Sequence, residues 1–375
     1  MKKILLVLEA GDALPSGMVR GLIYKDLFCQ KGYTARYISR IPAWMVRAAG
    51  NQGFLFSEKK EKSKKSFLKK ILEVFYFFLN WRIMRAARGF DVVYLSKVRS
   101  APLIRNLKKK TSARLVYDFG DALWLAGRNS NQFFDVKNFE EILRTVDAVT
   151  TDNEQTAAYV RKLNPHVVTI PDYPQMEIFE KQRAKLSPKK DGSKIVIGWI
   201  GSPSTAYNLY VVWEALEAIF SKHNHIELRL VGTGADSRLL PQFENVVYTT
   251  RSSYSQADMA REVLAMDIGL FPLQDTEVSR VRGILKATIY MSGGCAVVCS
   301  PVGQCETFIR DGVNGFLARS KEEWIDKLEL LITDHALRRR LAEEGLRTVK
   351  ENFCLEAYFD QLIQVLEGSS CVRKK

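Results

Sequence analysis

The sequence predicts an α/β protein of two doubly wound, Rossmann-like domains facing a central cleft. Three observations carry this. Short apolar runs alternate with longer amphipathic ones from end to end, as parallel strands alternate with crossover helices. A polar, proline-bearing stretch interrupts that alternation near the middle, after which it restarts. The chain of 375 residues is also long for one core and comfortable for two of about 150–200 residues each.

The first half offers six strands: Ile4–Leu8, Thr34–Ile38, Asp91–Leu95, Arg114–Phe119, Ala148–Thr151 and Val167–Ile170. A helix around Val19–Lys31 ends at Gly32, the residue type that stops helices with a left-handed turn. The opening MKKILLVLEAGDALPSG has a basic start and an apolar run, but Glu9 breaks the run and no small-residue cleavage site follows. Ile4–Leu8 is therefore expected as a buried first strand and not as a signal peptide. Nowhere do about 18 uncharged apolar residues run together, so no membrane-spanning helix is expected.

Residues 173–193 read as a linker, from its proline, lysine and glycine content. The expected boundaries are thus 1–172 for the first domain and 194–351 for the second, with a helix and tail over 352–375 that packs back on the first. The second domain repeats the grammar in Ile195–Gly201, Ile226–Gly234, Val246–Thr250, Asp267–Leu273 and Cys295–Ser300, with an amphipathic helix over Tyr210–Lys222. Two such halves place a ligand cleft between the carboxyl ends of both sheets.

Apolar and charged fractions of 46% and 26% are ordinary, whereas the net charge of +14 points to an anionic partner. Its main local source is Lys59, Lys60, Lys62, Lys64, Lys65, Lys69 and Lys70, which lead into an apolar, aromatic helix through Trp81. A basic run before such a helix suits an anionic membrane surface. The alternative is a helix buried in the first domain behind a solvated lysine loop. Nucleic acid is not expected, because no binding motif accompanies the charge. Six cysteines make no disulfide framework in a chain this size, and Cys295, Cys299 and Cys305 read as buried small hydrophobes in a reducing compartment. The four histidines show no metal-ligand spacing.

Two βα junctions look able to bind an anion. In GWIGSPST, Gly201 permits a tight turn while Ser202, Ser204 and Thr205 can cap the next helix. In GILKATIYM, Arg280, Arg282 and Lys286 crowd a helix start, where a positive charge gains nothing from the helix dipole. A bound phosphate or diphosphate would reconcile them. In LVYDFGDALW, Asp118 and Asp121 follow a buried strand and suit either acid–base and sugar-hydroxyl contacts or turn capping.

Taken together these stretches resemble the GT-B glycosyltransferases, specifically the retaining family-four group. LVYDFGDALW is close to a VYDFDDAIW pattern of one branch, with Gly120 in place of its middle aspartate. Thr151–Pro171, IGWIGSPST, DIGLFPL and the run from Lys286 through YMSGG, SPVG and DGVNGFLA match as well. The resemblance implies transfer from a nucleotide-sugar to a lipid-linked or cell-envelope glycan, with retention of configuration and without a required metal or other cofactor. The basic run and the reducing compartment add the expectation of a chain at the inner, cytoplasmic face of the membrane. Asp118 or Asp121 would then serve catalysis, and Gly201, Ser202, Thr205, Arg280, Arg282, Lys286 and Glu306 the donor, with Glu277 a further hydroxyl contact. One departure stands out: the paired glutamates of that group fall here on Val281 and Ile289, which leaves as the alternative a non-catalytic GT-B subunit that binds or scaffolds in glycan assembly.

Overall fold

The computed structural model describes residues 2–11, 15–42, 45, 65–125, 135–186, 194–233, 246–249 and 255–368. Two compact units divide the chain, residues 1–172 with 355–375, and 173–354.

The first unit is built on a parallel six-stranded sheet. Its strands are β1 (Lys3–Leu8), β2 (Thr34–Ser39), β3 (Val92–Ser96), β4 (Arg114–Asp118), β5 (Ala148–Thr151) and β6 (Val167–Thr169), in the order β2-β1-β3-β4-β5-β6. The central strands are apolar on both faces because helices cover both sides of a parallel sheet. Helices α1 (Pro15–Val19), α2 (Lys25–Gln30), α3 (Lys65–Ala87), α4 (Ala101–Lys110), α5 (Val136–Thr145) and α6 (Glu154–Val160) connect them. Ser100 caps α4 by accepting from the Leu103 amide, and Asn153 caps α6 through Thr156. Leu5, Val7, Val93, Leu95, Leu115 and Tyr117 form the centre of the core.

The second unit opens with α7 (Met176–Arg183), which lies inside the stretch expected as a linker; buried Phe179 anchors it. Its sheet comprises β7 (Ile195–Ile200), β8 (Ile226–Val231), β9 (Val246–Thr249), β10 (Ile268–Phe271), β11 (Ala296–Cys299) and β12 (Phe316–Leu317), ordered β12-β11-β10-β7-β8-β9. That is the Rossmann order, which reverses between β7 and β10 and so opens a ligand crevice at the carboxyl ends of those two strands. The crossovers are α8 (Trp213–Lys222), α9 (Gln256–Leu264), α10 (Glu277–Arg280), α11 (Leu285–Gly293), α12 (Gln304–Phe308), α13 (Lys321–Thr333) and α14 (His335–Asn352). Trp199, Leu228, Leu230, Leu270, Val298 and Trp324 fill the core between sheet and helices. Cys295, Cys299 and Cys305 are buried free thiols.

The last helix, α15 (Leu355–Glu367), belongs to the first unit. Phe359 meets Phe28 edge-on at 4.9 Å, and the Tyr33 hydroxyl donates to Glu367 at 2.8 Å.

Candidate functional site

In the second unit β7 ends in Gly201, and a 3-10 segment over Pro203–Val211 follows. The Ser202 amide donates to the Thr205 hydroxyl at 3.2 Å, and that hydroxyl donates to the Ser202 carbonyl at 3.0 Å. The turn is pinned from below, where the Ile200 amide donates to the Tyr290 hydroxyl at 2.8 Å. It is pinned from the side by Asn208, whose side-chain oxygen accepts the Gln274 amide at 3.0 Å. Two glycines are needed here. A side chain at Gly201 would sit 2.9 Å from the Lys286 ammonium and closer still to the Trp199 ring. Gly232 has φ +85°, and its missing side chain would strike the Gly201 carbonyl.

Helix α11 starts opposite this turn. Its first turn has no side-chain cap, so its leading amides remain available to an acceptor. The Lys286 ammonium lies 4.7 Å from the centre of the Trp199 ring and 5.9 Å from that of Phe271. The Thr205 hydroxyl is 3.5 Å away, at the outer limit of a hydrogen bond. Burial, and then the charge of Arg282, bring the Lys286 ammonium down to about 7. Neither Lys286 nor Arg282 has a carboxylate partner among the described residues. Two cations thus act on one another near an uncapped helix start, with no carboxylate bonded to either among the described residues.

The other expected donor residues fare differently. Arg280 is exposed and paired with Asp275, through bonds of 2.7 and 3.0 Å. Glu306 is exposed and lies 4.0 Å from Arg319, an ion pair at its distance limit. At the two glutamate positions of the resembling group, Val281 is partly buried and Ile289 only 8% exposed.

In the first unit Asp118 ends β4 with its side chain wholly enclosed. The Arg20 guanidinium donates to it through Nε at 3.0 Å and Nη2 at 2.7 Å. The hydroxyls of Ser96 and Thr150 donate to it at 3.1 and 2.7 Å. The remaining Arg20 nitrogen donates to the Ile170 carbonyl and to Asp172, at 3.0 and 2.6 Å. Burial alone would weaken the Arg20 cation, but Asp118 and Asp172 outweigh it and hold the guanidinium charged. Asp118 therefore has no exposed oxygen to offer a substrate, which corrects the acid–base expectation for it. Asp121 is exposed and pairs with Lys97. Nearby Asp152 is also buried; desolvation, and then Asp172, push its carboxyl well above the usual range.

Of the membrane lysines, Lys59, Lys60, Lys62 and Lys64 lie outside the described residues, while Lys65, Lys69 and Lys70 fall on α3. Sequence reasoning missed Arg20, whose partners Asp118 and Asp172 lie 98 and 152 positions away. It also missed Trp199, quoted only as part of a strand. No spacing rule reaches such pairs.

The segment that holds the Gly201 turn, Arg282 and Lys286 is also the one with a sequence match. Residues 194–334 match the family model described as glycosyl transferases group 1. No curated protein sequence matches the chain. Solved structures resemble it along almost its whole length. Sucrose-phosphate synthase from Thermosynechococcus elongatus superposes with a TM-score of 0.68 at 15% identity, over 98% of this chain and 99% of that one. A glycosyltransferase from Rickettsia africae gives 0.64 at 17%, with 98% of each chain covered. HepE of Anabaena, solved in complex with UDP, gives 0.64 at 15%, over 98% of this chain and all of that one. The chain thus has the GT-B fold, and its second unit carries a domain that matches the glycosyl transferases group 1.

Proposed function

We propose that this protein is a glycosyltransferase that moves a sugar from a nucleotide-sugar donor to a lipid-linked or cell-envelope glycan. The observation that carries the reading is Lys286, set against the Gly201 turn at the uncapped start of α11 with the Arg282 charge acting on it, neither cation having a carboxylate partner among the described residues. A diphosphate is the anion that fits two cations and a set of helix amides. Held there, its oxygens gain negative charge as the sugar–oxygen bond breaks, and Lys286, Arg282 and the amides stabilise the leaving group. Ser202 and Thr205 add hydroxyl contacts along the turn. The HepE complex with UDP supports the nucleotide class.

The resemblance to retaining enzymes supports transfer with retention of configuration and without a required metal. Asp121, Glu277 and Glu306, exposed in their respective units, are the carboxylates assigned to sugar hydroxyls. The basic run Lys59–Lys70 and the net charge of +14 favour work at an anionic membrane surface, on its cytoplasmic side.

A second reading is a GT-B subunit that binds or scaffolds without catalysis. Val281 and Ile289, apolar where the resembling group carries glutamates, favour it. Calorimetric titration with UDP, GDP and their sugar conjugates tests the first reading, with micromolar-range binding of at least one expected. Incubating the conjugate that binds with lipid-linked saccharides then separates the two. Release of nucleoside diphosphate marks the enzyme, binding without release marks the scaffold, and no binding overturns the donor site.

A further inference from the structure

Helix α3 turns Leu79, Ile83 and Ala87 into the first unit, at 7%, 0% and 0% exposure. Its other side is unexpected for a helix so apolar. Phe77, Phe78 and Trp81 are 66%, 59% and 51% exposed. The remaining exposed large hydrophobics among the described residues are scattered over the second unit, so this is the one place where three lie together. At roughly 100° per residue, Phe77, Phe78, Trp81, Arg82 and Arg85 fall within about 140° of one another, on the side away from the buried stripe, and Arg88 follows directly after the helix.

The rings and the cations are organised. Phe77 and Phe78 meet edge-on at 6.0 Å, and the Arg85 guanidinium lies 5.7 Å from the centre of the Trp81 ring. Arg82 and Arg88 are exposed beside them, and no acidic residue occurs from Val74 to Arg88. A solvated face would carry lysine and glutamate here. Exposed aromatic rings with arginines and no acids fit the headgroup boundary of an anionic bilayer, where rings seat among acyl chains and guanidiniums pair with phosphates. Association with a second copy fits worse, because a two-fold contact sets this all-basic face against itself.

We infer that α3 docks flat on an anionic lipid surface, with Phe77, Phe78 and Trp81 inserted and Arg82, Arg85 and Arg88 at phosphate depth. This deepens the membrane arm of the reading above and is independent of its sugar chemistry.

The test is cosedimentation of the full chain with vesicles of phosphatidylcholine, with and without phosphatidylglycerol. The wild type is expected to bind the mixed vesicles. The Phe77→Ser, Phe78→Ser, Trp81→Ser variant should lose about tenfold or more of that binding. Its melting temperature and UDP titration report that the fold and the donor site persist. Arg82→Gln, Arg85→Gln, Arg88→Gln should remove the preference for phosphatidylglycerol. Lipids brominated near the headgroup end of the chain should quench wild-type tryptophan fluorescence more than that of Trp81→Phe. A wild type that ignores mixed vesicles, or a serine variant that sediments like it, overturns the inference. So does a dimer that the serine variant dissolves while vesicle binding stays unchanged. Loss of UDP binding with vesicle binding intact would count against the donor site alone.

Discussion

Two cations at the carboxyl edges of two parallel sheets meet opposite fates. Arg20 in the first unit has its donors taken up by Asp118, Asp172 and the Ile170 carbonyl. Lys286 in the second unit has aromatic walls, one distant hydroxyl and a second cation for company. The first arrangement is closed: the Arg20 guanidinium and Asp118 answer each other, so the pair holds strand ends together. The second is open, and its lack of a counter-charge among the described residues is the mark of a ligand site. A charge constellation signals function when its balance is incomplete, more than when it is dense.

Breaking the closed corner gives the largest effect. Arg20→Met strands Asp118 as a buried carboxylate with two hydroxyls for support, and should lower unfolding free energy by about 3–5 kcal/mol. Urea denaturation measures this. Adding Asp118→Asn to the same chain should recover part of the loss, since the stranded charge is then gone. Equal losses in the single and double variants would mean that the pair's shape, and not its charge, is what matters.

Ile289→Glu probes the helix that carries the open corner. At 8% exposure the new carboxylate is largely desolvated, and a cost of about 3 kcal/mol follows where neither Lys286 nor a ligand answers it. Thermal melts with and without UDP sharpen the comparison. A deficit that narrows with UDP marks a donor site tuned away from glutamate but still able to meet a ribose. A large deficit with no UDP shift in either protein sides with the scaffold.

Next come the open cations themselves. Lys286→Ala and Arg282→Ala should each weaken UDP binding by about 1–3 kcal/mol, as for a charged hydrogen bond lost. Arg280→Ala is the contrast. Its guanidinium is already paired with Asp275 in solvent, so calorimetry should find UDP affinity nearly unchanged. Equal losses in all three would dissolve the distinction between paired and unpaired cations.

Much of this frame was legible in the sequence, because alternating apolar runs report buried parallel strands directly. The strand missed, Phe316–Leu317, is two residues long and too short for any pattern. The open corner was legible in part, since Arg282, Lys286 and Gly201 each stand in a local context that speaks of anions. What completes it was not. Trp199 reaches Lys286, and Arg20 reaches Asp118, only after the sheets have formed. Asp118 looked catalytic because its local setting, a carboxylate after a buried strand, is common to active sites and ion-paired cores. Phe77, Phe78 and Trp81 could be read as membrane-facing or as core for a related reason: hydrophobicity says that a side chain seeks cover and not what covers it.

The last effect is the most specific to the open corner. Burial and Arg282 hold the free Lys286 ammonium near 7. A bound diphosphate favours the charged form, so binding above that pH must take up a proton. UDP affinity should fall between pH 7.5 and 9.5, by at most about tenfold per unit for a single proton. Calorimetry in buffers of different ionisation enthalpy counts the proton, and Lys286→Met should abolish the uptake. The unliganded chain must respond with the opposite sign. Its folded Lys286 value lies below the ordinary 10.5, so between about 7 and 10.5 the unfolded chain holds more protons than the native one. Stability from this group therefore rises with pH across that window, and its full cost is felt below 7. Lys286→Met removes the cost, so it should raise the melting temperature most at pH 6, with the gain fading towards pH 10. A gain that is flat with pH would show that the ammonium is solvated in the free chain, and the corner would lose its claim to be poised for an anion.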